Sequence, residues 1–549
     1  MKRLLFLFTL FFLFFGDAIA KKKEITLYPK DFGAFVDDNL DDSRVFNNIF
    51  RIIADGNYAK AIIILEDGIY DLYTELAIRE LQCDLAFIGK KHSGFKVLGR
   101  LGLFLSAKPS YFKSDRKIAH GDKSVLLNGP LEALRTGDIL HIQSNSTFET
   151  GWGYKENDIH RIDKIVNNRI YLADSVIFNY NEIEEQVNIV SYPRSLLSLK
   201  NILFVISPVH DSVRAEALQV RGMSINAENI TVKYTGAGHT YFHNGFSIAA
   251  CVDVSFRGVI LDNLMYGILI NFCRNVRGEQ TKAFYTRHAY VPSTATCNVY
   301  ISGLFGYKCH SVMDAHVAFN VSYINVIDTL ATKYPDCRAL GTTLRNIKIY
   351  PDRPDSQLYC YWSVQTLVKD YFFLYEKADQ LFDNVYWESP SPGRLNGFGS
   401  YTCRTLTIRN CKTHSISYYG DQHVLKKIEI TDSQVGLIYL MAQKASIINV
   451  KMNGALFPNA PFVFRFVGSG SSRISNTVVS GYNADSAYLF SNFHNQPRSN
   501  SLLIEKTTFQ KLRGWTDNLV DPGTKYTTLK LRNVKINGFK EPVPKEIAL

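Results

Sequence analysis

A ladder of Asn and Asp residues recurs through the middle of the chain and constrains its fold more than any other feature of the sequence. Each member opens a short alternation of apolar and polar residues, which is typical of a β-strand. A unit of this length cannot bury its own apolar face and must stack on copies of itself, so the ladder predicts a β-solenoid. The members are Asn229, Asp253, Asn275, Asn298, Asn320 and Asn346, at spacings of 24, 22, 23, 22 and 26 residues.

The first 20 residues, 1–20, have the pattern of a cleavable export signal. Lys2 and Arg3 precede an apolar run, and the segment ends in the small-residue site Ala18-Ile19-Ala20. No later stretch is long and apolar enough for stable membrane insertion. Cleavage leaves 529 residues with a formal charge of +10. The sequence therefore predicts a secreted or periplasmic protein.

The basic charge of the mature chain suits a polyanionic partner. Outside a cell such a partner is more often an acidic polysaccharide than a nucleic acid, so we expect the polysaccharide and no nucleic acid. The alternative is that surface lysines merely confer solubility. The sequence does not indicate an oligomeric state.

The chain has nine cysteines, an odd number for an exported protein. Cys251, Cys273 and Cys297 each lie one or two residues before a ladder residue, which favours stacked, buried free thiols over disulfides. No C-x-x-C pair or His/Cys cluster has zinc spacing, and no acidic cluster indicates calcium. We therefore predict no metal and no cofactor, with a calcium requirement left open.

Residues near the start of the mature chain resemble the pectate lyase superfamily of right-handed parallel β-helices, which includes many phage tailspikes. The resemblance rests on Asp31-Phe32-Gly33-Ala34, a helix start at Asp41-Asp42, and a buried strand followed by Asp67-Gly68-Ile69-Tyr70. Val36 and Asn39 stand where glycine is usual, and the last turn lacks the usual proline. The resemblance implies a helix that caps the first strand edge. We expect its apolar face to be Val45, Phe46, Ile49, Ile52 and Ile53.

The predicted fold is an all-β, right-handed, single-stranded parallel β-helix with an N-terminal capping helix and a small β-rich insert. The insert is predicted where the ladder breaks, and its expected role is structural or substrate-flanking. The predicted boundaries are 1–20 for the signal, 21–104 for the cap and first rungs, 105–195 for the insert, 196–540 for the main β-helix and 541–549 for a C-terminal tail.

Offsets from the ladder place several polar residues in shared columns of one sheet. Tyr266, His288 and His310 lie 13, 13 and 12 residues after their ladder positions. Asn271 and His316 share an offset of 18. Parallel rungs are about 4.8 Å apart, so residues at matching offsets in adjacent rungs lie within reach of one substrate.

These columns can support β-elimination of a uronate-containing glycan, which needs a neutralised carboxylate, a base and an acid. Arg287 is expected to neutralise the carboxylate, and His288 or His316 to act as the base. Tyr290 or Tyr266 is the candidate acid, and Asp314 orients a histidine. The predicted catalytic residues are Arg287, His288, Asp314 and His316, and the predicted substrate-binding residues are Tyr266, Asn271, Tyr290 and His310.

Several alternatives remain open at this stage. The four residues can instead form a structural ion-pair network between rungs. Hydrolysis normally needs two facing carboxylates, and the motifs of polygalacturonases are missing from the central region. A non-catalytic glycan-binding or adhesion protein, and a uronate epimerase, also fit the same fold. The Arg-His and Asp-x-His pairs resemble a pattern in tailspike-like proteins, which supports a site more than a particular reaction.

Overall fold

The computed structural model describes most of the N-terminal and central chain and separate segments beyond it. The described residues are 23–352 apart from 115, 129–130, 150–152, 181–186, 211–213, 237–241 and 333–334, followed by 360–361, 378–387, 397–399, 404–418, 426–441, 444–456, 462–467, 471–482, 488–491, 501–510, 528–536 and 546–547. The predicted signal and most of the predicted tail lie outside these residues. Within them, no helix has the length and apolar character needed to cross a membrane.

The chain forms a right-handed parallel β-solenoid of about 13 turns, as the ladder and the resemblance predicted. The N-terminal strands are Lys23–Leu27, Tyr58–Ile64, Ile69–Leu72, Leu76–Leu81, Asp84–Ile88, Gly94–Val97 and Leu101–Ala107. The central strands are Leu196–Ile206, Glu216–Arg221, Ser224–Tyr234, Asn244–Ala249, Val252–Arg257, Ile260–Asp262, Tyr266–Asn271, Arg274–Phe284, His288–Ser293, Cys297–Tyr307, Asp314–Ala331 and Asp336–Pro351.

The later rungs continue the same parallel pairing. Their strands are Cys360–Tyr361, Asp379–Trp387, Gly397–Gly399, Thr405–Arg409, Lys412–Tyr418, Lys427–Thr431, Gln434–Met441, Lys444–Ile448, Lys451–Asn453, Phe462–Val467, Ser471–Ser475, Val478–Ser480, Tyr488–Ser491, Ser501–Glu505, Thr508–Gln510, Thr528–Arg532, Lys535–Ile536 and Glu546–Ile547. The last of these pairs antiparallel with Thr528–Arg532.

The predicted ladder proves to be two ladders on different turns of the rung. Asp253, Asn275, Asn298 and Asn320 form the first ladder, with φ between 53° and 60°. Each amide donates to the preceding side chain, at 3.0, 3.2 and 3.3 Å. Asn229 and Asn346 belong to a second ladder, because their amides donate to Asn201 and Asn325. The two irregular spacings of the sequence pattern, 24 and 26 residues, are the steps between these ladders.

The left-handed backbone explains the residue type on both ladders. Asn and Asp adopt positive φ at lower cost than other non-glycine residues, because their short polar side chains bond locally. The second ladder also uses Gly258 and Gly303, with φ of 66° and 64°. It extends through Asn384, Asn410, Asp432, Asn449, Asn476 and Asn533, all at positive φ.

A helix, Ser43–Asp55, closes the N-terminal end of the solenoid. It buries Phe46, Ile49, Phe50 and Ile53. Ile52, predicted on the buried face, is 37% exposed, and Phe50 takes the buried place. A 3-10 helix, Pro29–Phe32, precedes it, and another lies at Gly454–Leu456.

The insert forms a separate antiparallel sheet of six strands. The solenoid strand before it runs to Ala107, three residues beyond the predicted boundary, and the solenoid resumes at Leu196. The insert strands are Ser110–Phe112, Ser124–Leu126, Ile139–Glu149, Tyr154–Val166, Arg169–Leu172 and Asn188–Tyr192.

The cysteines behave as small apolar residues. Seven of them are described, and all seven are buried and free of disulfides. Cys251 and Cys273 occupy the predicted places beside the first ladder, where their thiols approach backbone carbonyl oxygens. The prediction of buried free thiols is therefore confirmed for the described cysteines, and Cys251 lies opposite Cys273 as expected. The predicted stacking is wrong for Cys297, because Cys297 is registered with Arg274.

Replacing Asn298 with alanine should destabilise the protein by about 2 kcal/mol, because both ladder bonds are lost and a Cβ without a polar group is held at positive φ. Asn298→Gly should cost less, since glycine relieves the backbone and loses only the bonds. Denaturant unfolding measures both. Asn226→Ala, at an exposed strand position, is the matched control, and an equal cost there would contradict the role of the ladder.

Candidate functional site

The predicted columns exist on the first sheet of the solenoid. Glu216, Asn244, Tyr266 and His288 are registered partners at the starts of successive strands. Near the ends of the strands, Arg221, Ala249, Asn271, Ser293 and His316 form a second column. The offsets succeeded because the residues used for counting, Asp253, Asn275 and Asn298, all belong to the first ladder.

A buried carboxylate lies between two imidazoles on this sheet, and we call His288, Asp314 and His316 the His–Asp–His cluster. His316 Nε2 lies 2.9 Å from Asp314 Oδ2, and His288 Nε2 lies 3.5 Å from the same oxygen. Asp314 is 1% exposed, whereas the His316 side chain is 19% exposed. The shorter distance is a hydrogen bond that His316 donates, and the longer one is an electrostatic contact.

The tautomer of His288 follows from its other nitrogen. His288 Nδ1 lies 3.0 Å from the carbonyl oxygen of Ser311, which can only accept. Nδ1 therefore carries a proton, and in the neutral ring the lone pair lies on Nε2, beside Asp314. A histidine held in one tautomer in this way is prepared to act as a base.

The charges of the cluster follow from burial and from neighbouring groups. Burial lowers the pKa of His288, against the opposing influence of Asp314. Burial alone would raise the pKa of Asp314, but the charges that His288 and His316 carry when they are protonated, the hydrogen bond from His316 and the charge of Arg287 outweigh it and hold that pKa below its usual value. At neutral pH the cluster therefore holds an ionised carboxylate beside a neutral His288.

The second carboxylate oxygen of Asp314 is buried and accepts no hydrogen bond. Leaving a buried acceptor unpaired costs about 1 to 3 kcal/mol, so such groups in a folded protein call for an explanation. An ordered water or a ligand hydroxyl group would satisfy this oxygen, in a structural ion-pair network as in a working site.

Two arginines flank the ring of Tyr266 beside the cluster, and we call Arg214 and Arg287 the arginine pair. Their guanidinium carbons lie 5.9 and 5.8 Å from the ring centroid. Arg214 also donates to Asn244 Oδ1 at 2.9 Å. Each guanidinium group is of the kind that binds a carboxylate with both charge and hydrogen bonds.

Tyr266 and His288 share a column as the offsets predicted, whereas His310 lies one position away from it, although its ring still contacts His288. Tyr266 is stacked on His288 with centroids 6.0 Å apart, and His310 meets His288 edge-on at 5.5 Å. Asn271 lies in the His316 column, where its Oδ1 accepts from Thr294 at 3.2 Å. Tyr266, His310 and Asn271 lie on the same sheet as the cluster, and their role in substrate binding stays a prediction.

Tyr290 is a correction to the sequence analysis. Its side chain is fully buried in the solenoid, where its hydroxyl bonds to Thr281 at 2.7 Å. Burial raises the pKa of Tyr290 well above its usual value. Tyr290 shares its column with Ile268 and Phe246, which face the interior, so it can neither bind substrate nor donate a proton to it.

The insert stands beside the first sheet and forms a wall along it. Arg161 bonds to Asp253 at 2.7 and 2.9 Å, and the His141 ring lies 5.7 Å from Phe272. Tyr154 accepts a hydrogen bond from Ser293 at 3.4 Å, one rung before His316. The insert therefore borders the cluster, as the predicted flanking role requires.

Several residues around the cluster were missed by sequence reasoning. Arg214 has no periodic signal, because it lies before the first residue of the strand Glu216–Arg221. The register pairs Asp314 with Asp336 and His316 with Arg338 on the next strand, and only the strand alignment reveals this. Within the described residues, no group of three or more His, Cys, Asp or Glu side chains is arranged to hold a metal ion.

The chain forms a right-handed parallel β-solenoid with a polar cluster on its first sheet, and two phage tailspikes are among the solved structures that have a similar fold. No protein-family model matches the sequence, and no curated protein is detectably similar to it. A tailspike of Pseudomonas phage phi297 is 15% identical with a TM-score of 0.52, over 92% of this chain and 84% of the tailspike. A tailspike of Pseudomonas phage LKA1 is 12% identical with a TM-score of 0.51, over 93% and 81%. At such identities the similarity shows a shared fold alone.

Asp328 supports the segment behind the cluster and generates a pH-dependent prediction. It is 1% exposed, and its Oδ2 accepts from the Val312 N–H at 3.2 Å. Burial raises the pKa of Asp328 from 3.8 to about 7. Between these values the folded state binds more protons than the unfolded state, so the free energy of unfolding falls as pH rises.

Asp328→Asn removes this titration and keeps an acceptor for Val312. Between about pH 5 and pH 8 the parent should lose about 2 to 3 kcal/mol relative to the variant, as urea unfolding at each pH would measure. Asp352→Asn, at an exposed position, is the control. Parallel pH profiles for the parent and Asp328→Asn would contradict the prediction.

Proposed function

We propose that this protein binds an acidic polysaccharide along its first sheet and cleaves it by β-elimination at the His–Asp–His cluster. The observation that carries the proposal is a neutral, tautomer-fixed His288 next to an ionised buried carboxylate, with the arginine pair at the adjoining Tyr266. The basic charge of the chain supports an anionic substrate. The wall formed by the insert supports an extended one.

Each step of the elimination has a residue in this arrangement. The arginine pair neutralises the uronate carboxylate, which makes the adjacent carbon-bound hydrogen more acidic. The lone pair of His288 Nε2 takes that proton, and the electron pair of the broken carbon–hydrogen bond forms the new carbon–carbon double bond. The glycosidic carbon–oxygen bond breaks, and its electron pair leaves with the oxygen. Tyr266 gives a proton to the leaving oxygen. Asp314 stabilises the imidazolium that forms, and His316 holds Asp314 by its hydrogen bond.

A hydrolase is the second candidate, because Asp336 is registered beside Asp314 on the next strand. Hydrolysis of a glycosidic bond normally requires two carboxylates, and this register brings a second Asp to the strand next to Asp314. Hydrolysis assigns Asp336 a role as important as that of Asp314, whereas elimination assigns Asp336 no role. Asp336→Asn therefore separates the two reactions.

Mature protein incubated with polygalacturonate and with alginate should release products that absorb in the ultraviolet, since elimination creates a conjugated double bond. His288→Ala should lower the rate by about 100-fold or more. His92→Ala, at an exposed histidine far along the sequence, is the control. Reducing ends that appear without ultraviolet absorbance, with equal losses in Asp314→Asn and Asp336→Asn, would instead establish hydrolysis. Binding without any product would favour the adhesion alternative.

The pH dependence of kcat/KM provides an independent test of the role of His288. Since burial lowers its pKa, the acidic limb of the profile should lie below pH 6.5, the usual pKa of histidine. Asp314→Asn removes the charge that opposes this shift, so the limb should move to still lower pH while the rate falls about 100-fold. A lower rate with an unmoved limb would mean that Asp314 has only a structural role.

A further inference from the structure

A second polar depression opens between the insert and the N-terminal rungs, apart from the His–Asp–His cluster, and we call it the insert pocket. Its volume is about 470 Å³, within the range of small-ligand sites. The lining residues that matter most are Arg79, Tyr111, Gln143, Asn188, Tyr192 and Arg221. No Asp or Glu belongs to the described lining.

Tyr111 is the most unusual residue of the insert pocket. Its side chain is 76% exposed, the highest value among the large hydrophobic side chains of the described residues. A tyrosine usually buries its ring when its role is structural. An exposed ring on the rim of a polar pocket is suited to stacking on the flat apolar face of a sugar.

Charged and amide groups face the same pocket. The Arg221 Nε–H donates to Tyr192 Oη at 3.0 Å, which orients the exposed guanidinium of Arg221 beside the pocket. The guanidinium of Arg79 lies 5.0 Å from the centroid of the Phe104 ring and also pairs with Glu75 at 2.8 Å. Gln143 is held by His141 at 2.9 Å. A positioned arginine and amides beside an aromatic ring recognise hydroxyl and carboxylate groups.

The insert pocket and the cluster lie on one column of the first sheet. Arg221 is registered with Ser106 on one side and with Ala249 on the other. The column then passes through Asn271 and Ser293 to His316. Four rung steps separate Arg221 from His316, or about 19 Å at the usual strand spacing.

We propose that the insert pocket is a distal subsite that binds one acidic sugar of the same polysaccharide whose cleavage is proposed at the cluster. The identity of the polymer in this proposal rests on the proposed function. The insert thereby gains a specific role, because it supplies Tyr111, Gln143, Asn188 and Tyr192. A chain must span about 19 Å to occupy both places, so the protein favours long substrates over short ones.

The test compares Tyr111→Ala with Tyr171→Ala, a tyrosine of the insert that is 37% exposed and lies outside the pocket. For long oligosaccharides of polygalacturonate or alginate, Tyr111→Ala should raise KM about tenfold. The effect should shrink as the oligosaccharide becomes too short to reach both places. Tyr171→Ala should behave as the parent. Equal effects on all lengths, or equal effects of the two variants, would overturn the proposal.

Direct binding separates this proposal from the proposed reaction. If the parent cleaves neither polymer, calorimetry with the same long oligosaccharides still tests the pocket, since Tyr111→Ala should weaken binding about tenfold. Unchanged binding in Tyr111→Ala overturns the subsite whatever the parent catalyses. A neutral dextran oligosaccharide tests whether the subsite prefers an acidic sugar. If dextran binds as tightly as the uronates do, and equally tightly to Arg221→Gln, that preference is contradicted.

Discussion

The parallel stacking of rungs at about 4.8 Å is the constraint on which the rest of the structure depends. Two columns of left-handed Asn and Asp residues set the turns of each rung, and their side-chain amides bond from one rung to the next. Because every rung turns at the same places, side chains at matching positions are held in columns. The His–Asp–His cluster, the arginine pair and the stacked rings at the corner are consequences of that alignment.

Much of the fold could be predicted from the sequence, because the ladder records the turns directly. Its division into two ladders was missed, since Asn229 and Asn346 are the same residue type in the same backbone conformation as Asn275. Offsets counted from the first ladder nonetheless placed Tyr266 with His288, and Asn271 with His316, in shared columns. His310 was misplaced by one position, because its offset is one residue shorter. The path of the insert could not be predicted, since its antiparallel pairing breaks the period and its contacts with the solenoid link residues far apart in sequence.

The site could be predicted only in part for similar reasons. His288, Asp314 and His316 have offsets that place them together, and the structure brings them into contact. Tyr290 was misplaced because an offset predicts which sheet a residue lies on but not whether its side chain points into the solenoid. Tyr290 is registered with Ile268, which faces the interior. Arg214 lies outside any strand, so no offset could assign it to Tyr266. Neither the tautomer of His288 nor the unpaired oxygen of Asp314 has a signature in the sequence.

The chemistry proposed for this surface depends on where an acidic sugar binds, and a crystal structure of Asp314→Asn with a long oligouronate tests that most directly. The account predicts a chain lying along the first sheet beside the insert, with one carboxylate between Arg214 and Arg287 and its adjacent carbon facing His288 Nε2. A chain bound on another face of the solenoid, or one on the first sheet with its carboxylates turned away from both arginines, would contradict it.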